Sequence, residues 1–355
     1  MNPLAERIAA RIEAAGGSIP VSEYMSLCLA DPDHGYYATR DPFGAGGDFT
    51  TSPEISQMFG EVIGVWCVAI WDRMGRPEDL VLAELGPGRG TLLADALRAA
   101  TRVAGEARDW QIWLVETSPA LRKVQARTLA NVAPNWACSL AEVPSAPVIV
   151  LANEFFDALP VRQHQRTDAL WRERRVSFSG GGLQWIWGPP GPDPGLDARF
   201  GDVSDGTLVE SSPAGSAFAG VIGQRLSSSG GAALIIDYGS WDGTGDTLQA
   251  VKGHAPVDPL AEPGRADLTA HVDFGALAQA ASPAAAHGPV PQGVFLERIG
   301  ITARAQALAR TAAQDRVEDV AAAHRRLTHP DEMGQLFQVL ALTHPSMTAL
   351  PGFSE

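Results

Sequence analysis

The sequence predicts an α/β fold of the Rossmann-like kind, a largely parallel sheet with helices on both faces, carrying helical additions at each end and a β-meander insertion. Three observations predict it. First, apolar runs at 80–85, 111–115 and 148–151 alternate with helical patterns at 91–100 and 119–129. Strands without polar alternation need cover on both faces, which crossover helices supply. Second, the first of these strands leads into Glu84-Leu85-Gly86-Pro87-Gly88-Arg89-Gly90-Thr91, a turn with glycine at every second position ahead of a helix. Third, after Pro160 the pattern changes to period-two alternation at 161–166, 170–178 and 183–187 with glycine-rich turns between, the signature of a meander.

In chain order, residues 1–15 form an amphipathic helix with Leu4, Ile8 and Ile12 on one face, and 21–29 form a second. A turn-rich stretch follows, through Phe43-Gly44-Ala45-Gly46-Gly47-Asp48. Ser52 as N-cap, Pro53 at the first helical position and Glu54 in the first turn then start a helix. Ile55, Met58, Phe59, Val62, Ile63, Trp66 and Ile70 give it a wide buried face, and Gly75-Arg76-Pro77 ends it. Residues 1–78 are thus an N-terminal helical and lid segment, and 79–160 the first half of the core, with 135–140 a weak third strand. Residues 161–210 are the meander insertion, with 188–195 its least ordered part. A helix at 213–226 and a strand at 232–237 open the second half of the core, 211–300, which holds a polar, turn-rich insertion at 240–272. Asp273 caps a helix, 290–298 alternates like an edge strand, and 301–355 is a mainly helical C-terminal segment.

The chain has 355 residues, 45% hydrophobic and 19% charged, an ordinary composition for a globular protein. Its net charge of −14 disfavours nucleic acid and anionic membrane and suits a basic partner. No run reaches the roughly 18 apolar residues that span a bilayer. Cys28, Cys67 and Cys138 are widely spaced and form no CxxC pair, so they read as reduced, mostly buried thiols. With no signal-peptide core, this points to a bacterial-type cytoplasmic protein, or to the mitochondrial matrix for a chain whose presequence has been removed.

Ligands of open parallel sheets bind beyond the carboxyl ends of the strands. Alternating glycines there let the backbone approach a ligand closely, and the next helix offers free N–H groups. GxxxxGK[ST] is absent, and Thr91 stands where the third glycine of a dinucleotide fingerprint would fall. The spacing E-x-G-x-G-x-G resembles instead the adenosylmethionine loop of Rossmann-like methyltransferases. Glu84 and Glu116 end the first two strands, and a carboxylate at the second position accepts the ribose hydroxyls of an adenosine. Nicotinamide dinucleotides use that position too, so Glu116 alone does not choose the cofactor.

The fourth strand runs into Asn153-Glu154-Phe155-Phe156-Asp157. Two carboxylates separated by two aromatics should face the reacting end of a cofactor. If the nucleophile is an arginine, its planar five-donor fork matches paired carboxylates. The plainer reading is that Glu154 caps a following helix and Phe155 or Phe156 is core. The loop 43–52, with three glycines and with Asp48, Thr50 and Thr51 ahead of a helix, is a candidate lid. His34, His254 and His271 show no metal-ligand spacing and read as structural or surface residues, and no metal site is expected.

Ordered blocks carry a more specific signal. They are Ile19, Glu23-Tyr24-Met25, Cys28-Leu29, Pro32 and Gly35-Tyr36-Tyr37, then GGDFTTSPEISQMFGE at 46–61, ELGPGRGT at 84–91, LVE at 114–116 and NEFFDALPVRQ at 153–163. IIDYG at 235–239, DTLQA at 246–250 and DLTAHVDF at 267–274 follow. In these the chain resembles the MidA-like methyltransferases, which include the mitochondrial arginine methyltransferase that assists respiratory complex I assembly. The resemblance runs from about Pro20 to Phe353 without departure inside the blocks. It implies a seven-stranded class I methyltransferase core and S-adenosylmethionine as methyl donor. It also implies a protein acceptor with an accessible arginine, such as a respiratory complex I subunit. Carried to matching positions, Glu84, Gly86, Pro87, Gly88 and Gly90 line the methionine end of the donor and Glu116 its ribose. Asn153, Glu154 and Asp157 flank the transfer site, and Asp48, Thr50 and Thr51 complete the pocket. Two alternatives remain open at this point. One is a non-catalytic assembly factor that binds the donor and a client; the other is an NAD-dependent oxidoreductase, weakened by Thr91. The helical segments at both ends are long enough for a homodimer interface, a client groove or their own core.

Overall fold

The computed structural model describes residues 2–39 and 50–353. Seven strands make up the width of the central sheet: β1 (Val81–Leu85), β2 (Gln111–Val115), β3 (Asn135–Ala137), β4 (Val148–Asn153), β5 (Gly231–Ser240), β6 (Ala285–Pro291) and β7 (Phe337–Thr343). Their order is β3-β2-β1-β4-β5-β7-β6, and a two-residue eighth strand, Val272–Asp273, adds to the end of β5. β3 to β5 are parallel, and β7 runs antiparallel between β5 and β6. This is the seven-stranded arrangement expected. The order reverses between β1 and β4, so their carboxyl ends open a crevice.

Side-chain alternation divides the sheet between two cores. Leu82, Leu114, Leu151, Leu234 and Ile236 face the helices Gln57–Arg73 and Thr91–Val103, packing on Phe59, Trp66 and Leu93. Ala83, Val150, Ala152 and Ile235 face the helices Pro213–Ser229 and Phe274–Ala280. The first pair of helices touches backbone to backbone: a Cβ on Gly64 would lie 2.1 Å from the Ala96 carbonyl oxygen.

A third core joins the N-terminus to the meander. The meander strands Arg162–Thr167, Leu170–Ser179 and Gly182–Trp187 form one sheet with Leu208–Ser211 and with a short N-terminal strand, Ser18–Pro20. Leu4, Ile8, Ile12, Tyr24 and Met25 of the first two helices pack beneath it against Val176 and Leu268. The N-terminal segment is therefore fastened to the insertion.

Several local expectations are corrected. The helix expected to run unbroken from Ser52 is capped by Thr51, and it breaks at Ser56, whose extended backbone and hydroxyl start the helix Gln57–Arg73. Residues 188–195 are fixed by a pair of 2.9 Å backbone hydrogen bonds between Trp171 and Gly191, and Asp193 caps a helix at Pro194–Phe200. The polar stretch 240–272 contains a three-stranded sheet, Gln249–Lys252 between Ala255–Val257 and Asp267–Thr269. The expected edge strand at 290–298 is the end of β6 followed by a helix, Gln292–Arg298, that buries Phe295 and Leu296. Within the segment expected to be mainly helical lies β7, an inner strand of the sheet. Short apolar runs do not distinguish a buried strand from a buried helix until their neighbours are known. Cys28 and Cys67 are buried, and Cys138 is exposed after the edge strand β3.

Candidate active site

The carboxyl ends of β1, β2, β4 and β5 open into one cavity of about 1230 Å³. Its floor is the glycine turn, with Gly86 at φ +57°, Gly88 at +51° and Gly90 at +82°, all left-handed. The Gly90 N–H closes the turn on the Pro87 carbonyl at 2.7 Å. A Cβ on Gly86 would sit 2.7 Å from the Phe155 ring. The turn is thus packed from one side by the β4 loop and open to the cavity on the other.

Glu116 ends β2 at the cavity wall. Its Oε1 accepts the Ser118 N–H at 2.7 Å, and burial pushes its carboxyl above the ordinary range. Gln125, fully buried on the helix Pro119–Thr128, donates to the Gly88 carbonyl at 2.8 Å and to Glu116 Oε2 at 3.2 Å. Its own carbonyl accepts the Trp136 indole N–H at 2.9 Å. One amide therefore fixes the spacing between turn and acid.

The β4 loop is held as firmly. Glu154 has φ +50°, unusual for a residue with a Cβ, and its N–H donates to the Ile236 carbonyl of β5 at 2.8 Å. Its Oε1 accepts the Ser52 N–H at 2.8 Å and the Asn153 amide at 3.0 Å. No helix follows, so Glu154 is not a helix cap; Phe156 is core, while Phe155 is half-buried between Gly86 and Phe218. Asp237 on β5 accepts the N–H groups of Phe156 at 3.0 Å and Asp157 at 3.2 Å.

Burial raises the carboxyls of this wall. Glu154 is pushed up to about 7, and Asp157 to about 6 against the hydrogen bonds of Tyr238 and the Ala158 backbone. Asp237, buried beside Asp157 and Glu154, lies well above the carboxylate range. Glu84 is pushed up to about 8 by burial, and its Oε2 has no hydrogen-bond partner among the described residues. Such groups await a cation or stay neutral.

Of the residues singled out in the sequence, Thr50, Gly86, Gly88, Glu116, Glu154 and Asp157 line the large cavity. Thr51, Glu84, Pro87 and Asn153 line a small adjoining recess that shares Gly86, Gly88 and Glu154 with it. Gly90 lies behind the turn against Leu129 and Gln125. Asp48 and the loop 43–49 fall outside the described residues. Sequence reading passed over Gln125, Asp237, Tyr37 and Asp267 as site residues and set His271 aside as structural or surface; Tyr37, Asp267 and His271 also line the cavity. The strand-end rule that ranked Glu84 and Glu116 applies equally to Asp237, whereas Gln125 carries no sequence signal.

The sequence pattern of the family Methyltransf_28, S-adenosyl-L-methionine-dependent methyltransferases, matches residues 62–290. The chain is 38% identical over 370 residues to the Drosophila melanogaster protein named "Protein arginine methyltransferase NDUFAF7 homolog, mitochondrial", covering 96% of this chain and 84% of that protein. The Homo sapiens protein named "Protein arginine methyltransferase NDUFAF7, mitochondrial" is 35% identical over 372 residues, covering 96% and 83%. A superfamily member from Burkholderia thailandensis, solved bound to S-adenosyl-homocysteine, superposes with a TM-score of 0.86 at 30% identity, covering 99% of this chain and 94% of its own.

Proposed function

We propose that this chain, which belongs to the Methyltransf_28 family of S-adenosyl-L-methionine-dependent methyltransferases, methylates an arginine side chain of a protein, such as a respiratory-complex subunit. The observation that carries the arginine reading is the acid pair of half-buried Glu154 and buried Asp157 at the cavity end of β4, held in place by Ser52 and Asp237. The names of the relatives point to the same acceptor.

The residues present fit the donor. The buried Glu84 Oε2, without a partner among the described residues, suits an ammonium group, and the left-handed Gly86 and Gly88 line the cavity where a ligand can approach the backbone closely. In this reading Glu84, Pro87, Gly88 and Gly90 shape the methionine end, Thr50, Thr51 and Asp48 close over it, and Glu116 accepts the ribose hydroxyls. Bound S-adenosylmethionine supplies a methyl group on a positively charged sulfur.

The chain's own task is then to position a nitrogen in line and to complement charge. Glu154 Oε1 is engaged by Ser52 and Asn153, so Oε2 is the oxygen left for the acceptor guanidinium, with Asp157 beside it. A guanidinium gives up one proton on gaining a methyl group, and a carboxyl near neutrality is matched to receive it at Glu154 Oε2.

The test is transfer of label from methyl-tritiated S-adenosylmethionine to protein in an extract of cells lacking this chain. Labelled methylarginine in the acid hydrolysate, absent with Glu154→Gln, supports the reading. Label in another residue overturns it, and donor binding with no label anywhere favours a client-binding factor instead.

A further inference from the structure

An apolar stripe leads from the transfer site to the surface. At its inner end Tyr238 lies beside Asp157, and its ring meets Phe337 edge-on, with ring centroids 5.4 Å apart. Phe337 opens β7, and Leu336 just before it is 52% exposed. These three residues and half-buried Met333 all line the large cavity, so the stripe ends in an apolar lip at its mouth. Exposed Arg326 joins the lip from the last turn of the helix Val317–Thr328. Its neighbour Arg325 is paired with Glu332 at 2.9 Å, whereas Arg326 has no hydrogen bond or ion pair among the described residues.

The backbone under the lip is fixed. The Leu327 carbonyl accepts the buried Gln292 amide at 2.9 Å. A Cβ on Gly293 would lie 2.2 Å from the Thr328 carbonyl oxygen, and one on Gly334 would lie 2.0 Å from it. The Gly334 N–H donates to the His329 carbonyl at 3.1 Å. The turn between Arg326 and Leu336 is thus held before any ligand arrives, which lowers the ordering cost of binding.

We propose that Arg326, Met333 and Leu336 dock the segment of the acceptor protein that flanks the methylated arginine, and that they read an apolar and an acidic residue beside it. The inference deepens the arginine reading above and rests on it. Two points support it. An arginine that reaches Glu154 from solvent brings its own main chain to the mouth of the cavity, where a neighbouring apolar side chain can cover Leu336 and Met333. Charge sets the rest of the occupant. Glu116, Glu154 and Asp157 set acids inside the cavity, and Arg326 sets an unanswered cation at its rim. A segment with a cation at the tip of one side chain and a carboxylate close by in sequence matches both.

The experiment titrates the full chain, saturated with S-adenosylhomocysteine, with the peptide Gly-Gly-Gly-Arg-Gly-Gly-Gly. Its variants carry leucine, and then glutamate, in turn at the three positions on either side of the arginine. Leucine at one position should tighten binding by about tenfold, a gain that Leu336→Ser removes. Glutamate at one position should tighten it by about threefold, a gain that Arg326→Gln removes and salt weakens. The absence of either gain at every position, or its persistence in the matching variant, overturns the lip. A fall in affinity for S-adenosylhomocysteine with Arg326→Gln assigns that cation to the donor and overturns its part in docking. Transfer from S-adenosylmethionine to the same peptides separates this from the parent reading. Methylarginine formed with equal kcat/KM from every peptide removes the lip and leaves arginine methylation standing. Gains that depend on Leu336 and Arg326, without any methylarginine, support the lip and remove arginine methylation.

Discussion

The main-chain N–H of Ser52 donates to Glu154 Oε1 at 2.8 Å, joining the first turn of a helix to the end of β4 across 102 residues of sequence. That bond orients one oxygen of a half-buried carboxyl and leaves the other for chemistry. Glu154→Gln keeps an acceptor for Ser52 and removes the negative charge. Single-turnover methyl transfer should fall by about 100-fold to 1000-fold, the range seen when a preorganised electrostatic group is lost. Titration with S-adenosylmethionine should show nearly unchanged affinity.

Gln125 links the Gly88 carbonyl, Glu116 and Trp136 through one buried amide. Gln125→Leu fills the same space and strands three polar partners, which costs about 1–3 kcal/mol for each group left unsatisfied. Donor affinity and the denaturation midpoint should both drop. An isolated loss of stability with intact donor binding would place Gln125 outside the site.

Gly86 needs both its left-handed backbone and its missing side chain. Gly86→Ala adds a methyl 2.7 Å from Phe155 and strains a φ of +57°. Strain of this kind costs about 1–3 kcal/mol, so donor affinity should weaken by about tenfold or more. Isothermal titration reads this directly.

Stability should depend on pH in the sense set by buried acids. Glu84, Glu154 and Asp157 titrate at about 8, 7 and 6 in the fold, against ordinary values near 4. Between those limits the native state binds more protons than the unfolded chain, so stability declines as pH rises. The thermal midpoint of the donor-free protein should fall from pH 5 to pH 8.5. S-adenosylmethionine, a cation facing these acids, should raise the midpoint more at the alkaline end. Calorimetry at several pH values checks both signs.

The α/β class, the glycine turn and the strand-end acids are legible in the sequence, because each depends on residues close together in the chain. Apolar runs bounded by turns specify β1, β2 and β4, and the spacing of Gly86, Gly88 and Gly90 specifies a left-handed loop. The ordered blocks identified the family for the same reason, as unbroken local strings. The remaining features depend on long-range contacts. β7 reads locally as well for a helix as for a strand and becomes a strand because β5 and β6 present free edges on either side. Ser18–Pro20 becomes a strand because the meander offers it Arg175–Ser177. Asp237 and Asp267 acquire meaning once Phe156, Asp157 and Tyr37 meet them across 81, 80 and 230 residues. Sequence periodicity records which face of an element is buried, but not which distant element will cover it.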